Sequence, residues 1–264
     1  EKEFQADGIK INWHNMGTSP QAARAMSSGS LDIAGNMNTA ALLMLNSEGL
    51  PVRVVTGTAH PTSNFAIVSK PGTELSVKDL KGKQVVGPKG TFLHQLLVAA
   101  LEKEGMNESD VQFINMGIPK ALSTILAGHA DAALVASSAL IKANKAGAKT
   151  IINAEGLVEP TLVMTTTKQF AEEHPDIVKR VGKVYAESLR WMEEHPSETA
   201  EMGAQEHGIS VEDAKTLMER SHYFEKMTSK DLEDLKVNQK FLRDNGMMRN
   251  ELSVEELVLP VAMK

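Results

Sequence analysis

Apolar and polar positions along this chain follow two alternating periods. From Ile9 to about Thr167, short apolar or β-branched runs are separated by segments whose apolar residues recur every third or fourth position. Such alternation is the mark of βαβ units and a mostly parallel sheet. Strands are expected over 9–14, 31–34, 52–56, 65–69, 84–87, 111–116 and 132–136. A helix is expected from Ser19-Pro20, with Ser19 as N-cap, to Gly29, and others over 39–45, 119–127 and 138–146. Ser76 and Val77 open a one-turn helix ending at Leu80. The plainest helix follows Gly90-Thr91, where Leu93, Leu96, Leu97, Ala100 and Leu101 form one core-facing stripe closed by Gly105. From Lys168 onward the pattern is nearly all helical, with Pro175 and Pro196 at helix starts and charged outer faces.

One internal echo stands out. Asn15-Met16-Gly17 precedes a helix that ends at Gly29-Ser30-Leu31-Asp32, and Asn115-Met116-Gly117 precedes one that ends at Gly128-His129-Ala130-Asp131. Either common strand-loop-helix units coincide, or two lobes share one plan and offer helix N-termini at matching places. Met16 and Met116 themselves are expected in the core.

Composition narrows the classes. At 264 residues, 42% hydrophobic and 23% charged, the chain has enough apolar material for one large α/β domain or two lobes. No apolar stretch reaches the roughly 20 residues needed to span a bilayer. The net charge of −6 comes entirely from residues 168–264, and no basic stripe interleaves with aromatics, so nucleic acid is not an expected partner. With no cysteine, thiol catalysis, disulfides and thiolate metal sites are excluded. The eight histidines form no His-Glu-x-x-His pair, and neither a Gly-x-Ser-x-Gly elbow nor a P-loop is present, so no catalytic residue, metal site or cofactor is expected. Glu1 to Ile9 reads as a helix end stopped by Gly8, and the chain is expected to lack its true N-terminus.

Four stretches carry a family likeness: Gly29 to Gly35, Gly49 to Val55, Leu80 to Val86 followed by Gly90-Thr91, and Ala127 to Ala132. In that order and spacing the sequence resembles the substrate-binding proteins of the nitrate, taurine and alkanesulfonate ABC importers, through most of 1–195. The resemblance implies a two-lobed, type II periplasmic-binding fold with a helical C-terminal tail. Its lobes would be 1–60 plus 161–264, and 61–160, with crossings near His60-Pro61-Thr62 and Pro160-Thr161-Leu162. It further implies an extracytoplasmic monomer, periplasmic or lipid-anchored, that takes a small organic anion to the transmembrane subunits of a permease. The family's first strand lies upstream of Phe4 and is missing here. The tryptophan that several relatives carry after the Gly-x-x-Asp-Ala strand is also missing, the region reading Val135-Ala136-Ser137-Ser138. Enzymes of menaquinone and pyrimidine-precursor synthesis share this fold and form the alternative, the second requiring a cysteine-rich motif.

Candidate binding residues follow from local chemistry and from that likeness. Gly90, Thr91 and Phe92 enter a helix whose N-terminus presents unpaired N–H groups and partial positive charge, and the family uses this loop; Thr91 is equally a plain N-cap. Thr18 and Ser19 carry the same two readings. In the polar loop 35–39, Asn36 and Thr39 are the binding candidates and Asn38 the cap. His60 is a donor or a polar hinge residue, and Ser137 and Ser138 are ligand contacts or caps. Arg53 and Lys89 are expected in solvent.

Overall fold

The computed structural model describes residues 2–263 as helices and two separate sheets. The helices are α1 (Lys2–Gln5), α2 (Ser19–Ser27), α3 (Thr39–Ser47), α4 (Phe92–Lys103), α5 (Ile118–Leu126), α6 (Ser138–Lys145), α7 (Lys168–Glu173), α8 (Pro175–Glu194), α9 (Pro196–His207), α10 (Val211–Glu219) and α11 (Ser229–Asp244). The strands are β1 (Ile33–Asn38), β2 (Val52–Ala59), β3 (Phe65–Ser69), β4 (Gln84–Gly87), β5 (Gln112–Asn115), β6 (Ala132–Ala136), β7 (Thr150–Asn153) and β8 (Leu162–Thr167). One sheet is ordered β1-β8-β2 and the other β5-β4-β6-β3-β7. No strand is shared between them, and the chain passes from one to the other at 60–64 and again at 154–161.

The strands are mixed in direction, where the sequence pattern predicts mostly parallel sheets. Only β4 runs parallel to its neighbours β5 and β6; β8 is antiparallel to both β1 and β2, and β3 to both β6 and β7. The two crossing strands are the cause, since each enters its sheet directly from the other and needs no crossover helix. Neither β7 nor β8 stands out in the sequence, because both are short runs rich in Thr and Asn beside the second crossing.

The three central strands of the five-stranded sheet, β4, β6 and β3, are buried on both faces. Ile67, Val85 and Leu134 share one core with Leu42 of α3, Leu96, Leu97 and Leu101 of α4, Val54 of β2, and Leu235 and Leu242 of α11. Ala66, Val68, Val86 and Val135 alternate onto the opposite face and pack on Ala121 and Ile125 of α5 and Leu140 of α6. Period-two alternation between two covered faces explains why these strands read as unbroken apolar runs. The stripe foreseen on α4 is fully buried, and both Met16 and Met116 pack against the cores.

Two other expectations fail locally. Residues 9–14 carry strand alternation but join neither sheet; a lone extended segment without a ladder leaves Asn12, Trp13 and His14 exposed. The polar run 35–39 is mainly strand, because β1 continues to Asn38 through a register irregularity between Ala34 and Met37 that lets Gly35 and Asn36 bulge outward. Gly87 allows the tightest approach in the parallel ladder, for a Cβ there would lie 2.5 Å from the Cβ of Leu134. Gly87→Ala is therefore expected to cost about 1–3 kcal/mol, read as a lower urea midpoint.

Candidate binding site at the helix starts

Four contacts link helices α2, α3, α4 and α5 near the starts of α2, α4 and α5, the contact between α3 and α4 being made from the second half of α3. A Cβ on Gly117, the N-cap of α5, would lie 3.8 Å from Thr18 Cγ2, the N-cap of α2. Ser19 Oγ accepts both Asn38 N–H at 3.1 Å and Asn38 Nδ2–H at 2.9 Å, tying α2 to the start of α3. A Cβ on Gly90 would lie 3.3 Å from Met44 Cε, which places α3 against the loop entering α4. Lys89 N–H donates to Asn115 Oδ1 at 2.9 Å, linking that loop to the one entering α5. The contacts Thr18 to Gly117 and Met44 to Gly90 bring together segments that belong to different sheets.

Each helix start leaves backbone N–H groups without intrahelical acceptors and carries about half a positive charge. The caps are only partly filled. Thr18 Oγ1 accepts Gln21 N–H at 3.4 Å and Asn38 Oδ1 accepts Ala41 N–H at 2.8 Å, whereas neither α4 nor α5 has a side-chain cap bond. Thr18, not Ser19, is the cap of α2, which frees Ser19 to serve Asn38. Thr39, the first residue of α3, is fully buried, and its Oγ1 has no hydrogen-bond partner among the described residues. A buried hydroxyl without a partner costs about 1–3 kcal/mol unless something else satisfies it. Lys89, the cation on the α4 loop, is largely exposed and lies 3.8 Å from Glu108.

The remaining candidates divide. Gly90 sits at φ +71°, in the left-handed region that glycine takes without strain, and so permits the turn into α4. Thr91 Oγ1 donates to Pro88 O at 2.9 Å, so this hydroxyl braces its own loop. The Phe92 side chain is fully buried edge-on to Phe65, and its backbone N–H lies at the helix start. Ser137, between β6 and α6, has φ 53° and ψ −130°, a conformation costing a residue with a Cβ about 1–3 kcal/mol. Its N–H donates to Asn64 O at 2.8 Å, which fixes it beside the first crossing.

Asn36 and His60 lie near the start of α3, Asn36 two residues before its cap and His60 one contact away through Thr161, and each has a further partner. The bulge in β1 gives Asn36 Oδ1 to the Thr58 hydroxyl at 3.1 Å, and Tyr185 donates to Thr58 O at 2.9 Å from the α8 side. His60 stacks on Phe224 with centroids 4.1 Å apart and sets Nε2 3.1 Å from Asp231 Oδ1. It also borders a cavity of about 540 Å³, lined by Glu159, Phe224, Lys226 and Asp231 among others. The sequence reading missed Asn38 as a bridge, and it missed Asn115, Gly117 and Met44; the repeated Asn-Met-Gly was the signal for Asn115 and Gly117.

These contacts can be set against known proteins. The chain belongs to the NMT1/THI5-like family, whose model matches residues 4–199. It is 29% identical over 180 residues to the taurine-binding periplasmic protein of Escherichia coli K12, covering 67% of this chain and 55% of that relative. The chain thus spans little more than half the length of that relative. Its structure is similar to the alkanesulfonate-binding protein SsuA from Xanthomonas axonopodis pv. citri bound to MOPS, with a TM-score of 0.84 at 19% identity over 98% of this chain and 90% of that one. The periplasmic aliphatic sulphonate binding protein SsuA from Escherichia coli gives 0.78 at 18% identity over 97% and 89%. The two structures establish a shared fold: mixed α/β, with sheets flanked by helices and a helical C-terminal part.

The contact with His60 also acts on Asp231. Burial pushes the Asp231 carboxyl up, but hydrogen bonds from His60 and from the hydroxyl and N–H of Thr228 outweigh it and bring the group down to about 2 from 3.8. Since the folded value is the lower one, this stabilisation is present above about 3.8 and is lost as pH falls toward about 2. Acid unfolding of Asp231→Asn is expected to lack that increment, so the stability gap between wild type and variant, read by urea titration, narrows as pH drops through this range.

Proposed function

We propose that this chain is the extracytoplasmic receptor of an ABC importer and captures a small organic anion of the aliphatic sulfonate class, taurine included, at the helix starts. The observations that support the reading are the chain of contacts joining α2, α3, α4 and α5 and, at the first residue of α3, a buried hydroxyl, Thr39 Oγ1, that has no partner among the described residues. A sulfonate offers three acceptor oxygens and no donor, which suits a site made of N–H and O–H groups. Each helix start adds about 0.3–1 kcal/mol when exposed and up to about 2 when partly buried, and each direct hydrogen bond about 0.5–1.5. Several such terms together support micromolar affinity once water is excluded.

Membership of the family and the likeness to the taurine-binding relative support the sulfonate class over nitrate or a carboxylate. Capture works by closure of two lobes, 1–60 with 161–264 against 61–160, about the crossings, followed by delivery to transmembrane permease subunits. No covalent chemistry is involved, so the ligand is expected to be recovered unchanged from the purified protein by mass spectrometry. Recovery of a converted product would favour an enzyme on the same fold.

Calorimetry with taurine, ethanesulfonate, nitrate, acetate and neutral acetamide tests the class. The sulfonates are expected to bind and acetamide to give no heat; binding of acetamide with no response to any anion would sink the reading. Thr39→Val separates binding from folding. Removing an unpaired hydroxyl at nearly constant volume is expected to leave stability unchanged or raise it by up to about 1 kcal/mol, while weakening the sulfonate about two- to tenfold.

A further inference from the structure

We infer that His94 is a positioning residue for this site: its neutral imidazole holds the Gly90 loop in the form that receives the anion, and protonation releases it. The inference rests on the binding reading above. His94 lies in the first turn of α4 and is 1% exposed. Its Nδ1 accepts the Gly90 N–H at 3.4 Å, and its Nε2 lies 3.0 Å from Glu108 Oε2. A single tautomer serves both contacts, with the lone pair on Nδ1 and the proton on Nε2. The ring is clamped flat against Phe113 of β5, centroids 5.0 Å apart and planes 17° from parallel.

Two charged groups face it: Glu108, from the turn before β5, and Lys89, from the α4 loop. Glu108 serves both ends of the arrangement, holding the imidazole through one oxygen and lying 3.8 Å from Lys89 Nζ through the other. Gly90 is therefore flanked by two groups anchored on one carboxylate. Its neighbour Lys89 is in turn fastened to Asn115 at the α5 entry, so the Gly90 loop is part of the chain of contacts that defines the site.

Burial holds the His94 imidazole below the ordinary value of 6.5; Glu108 opposes this and Lys89 reinforces it. The neutral form prevails near neutral pH. In acid, Nδ1 gains a proton, its lone pair is lost, and two N–H donors face each other where one hydrogen bond stood. The same protonation adds a positive charge that would attract an anion. The sign of the pH effect therefore distinguishes the two possibilities, since release of the loop weakens binding in acid and simple attraction strengthens it.

The test uses the full chain with ethanesulfonate as probe, measuring calorimetric affinity between about pH 7.5 and 5 alongside nitrogen-15 spectra of the Gly90 amide and the His94 ring. The Gly90 amide is expected to shift with the His94 midpoint, and wild-type affinity to fall about three- to tenfold at the acid end. His94→Asn places a non-titrating acceptor near the position of Nδ1 and is expected to bind as wild type at neutral pH with a flat profile; His94→Leu is expected to bind weakly throughout. Should either variant fail to fold, the wild-type spectra decide. A Gly90 amide indifferent to His94 titration, or affinity equal or higher in acid, overturns the inference. Absence of ethanesulfonate binding at every pH, with Gly90 still following His94, would remove the anion reading and leave the His94 to Gly90 lock standing.

Discussion

The chain passes between two sheets twice, and in each sheet the strand that begins at a crossing runs against both of its neighbours, an arrangement that shapes the molecule. β8 fits between β1 and β2 and runs opposite to both, and β3 fits between β6 and β7 in the same way. Each crossing strand is interior to its sheet, so both of its edges are hydrogen-bonded. The crossings are in this way anchored at their far ends by ladders on both edges, and freedom is left chiefly in the few residues between them. Thr161 marks how short that span is: its carbonyl accepts the Thr39 N–H at 3.1 Å and its hydroxyl lies 3.5 Å from His60 Nδ1.

The helix starts depend on the same arrangement. In the five-stranded sheet the parallel trio β5, β4 and β6 all finish on one side, and α5, α4 and α6 begin there, as parallel strands require. β1 finishes at Asn38 and opens directly into α3. Among the described residues no lysine or arginine is buried, so the neutral dipoles of these helices avoid the penalty of desolvating one. Glycine at 90 and 117 keeps the backbone approach open, and Met44 fills the space beside the first of these.

Much of this was legible in the sequence, for physical reasons that differ by element. β3, β4 and β6 matched their expected bounds because both faces are covered and nearly every residue is apolar or small. α4 was legible through its leucine stripe. β8 was not, because its threonines are recruited by tertiary position more than by a pattern of their own, Thr166 for example donating to Asp32 O at 2.8 Å. The 9–14 segment misled in the opposite direction, since alternation describes a strand only when a neighbour supplies the ladder. Within the site, glycine and hydroxyl positions were readable from helix-start chemistry. Ser19 and Asn38 were each read singly, since a side-chain bridge spanning nineteen positions leaves no periodic trace. For His60 and Asn36, residue type alone does not reveal a further partner such as Asp231 or Thr58.

The core itself has a consequence for movement. Leucines of α4 share one continuous apolar cluster with α3 and α11, and Gln95 of α4 donates to Asn238 of α11 at 3.0 Å inside it. The two sheets are thus welded along the side where α11 lies, while the side of the helix starts is held by lighter contacts such as Thr18 on Gly117. Closure of the kind proposed would then resemble a clamshell with a greased but unbroken spine. Its work would be done almost wholly at the lips, where a bound anion adds the missing attraction, and little of the buried apolar area would be exposed to water in either position.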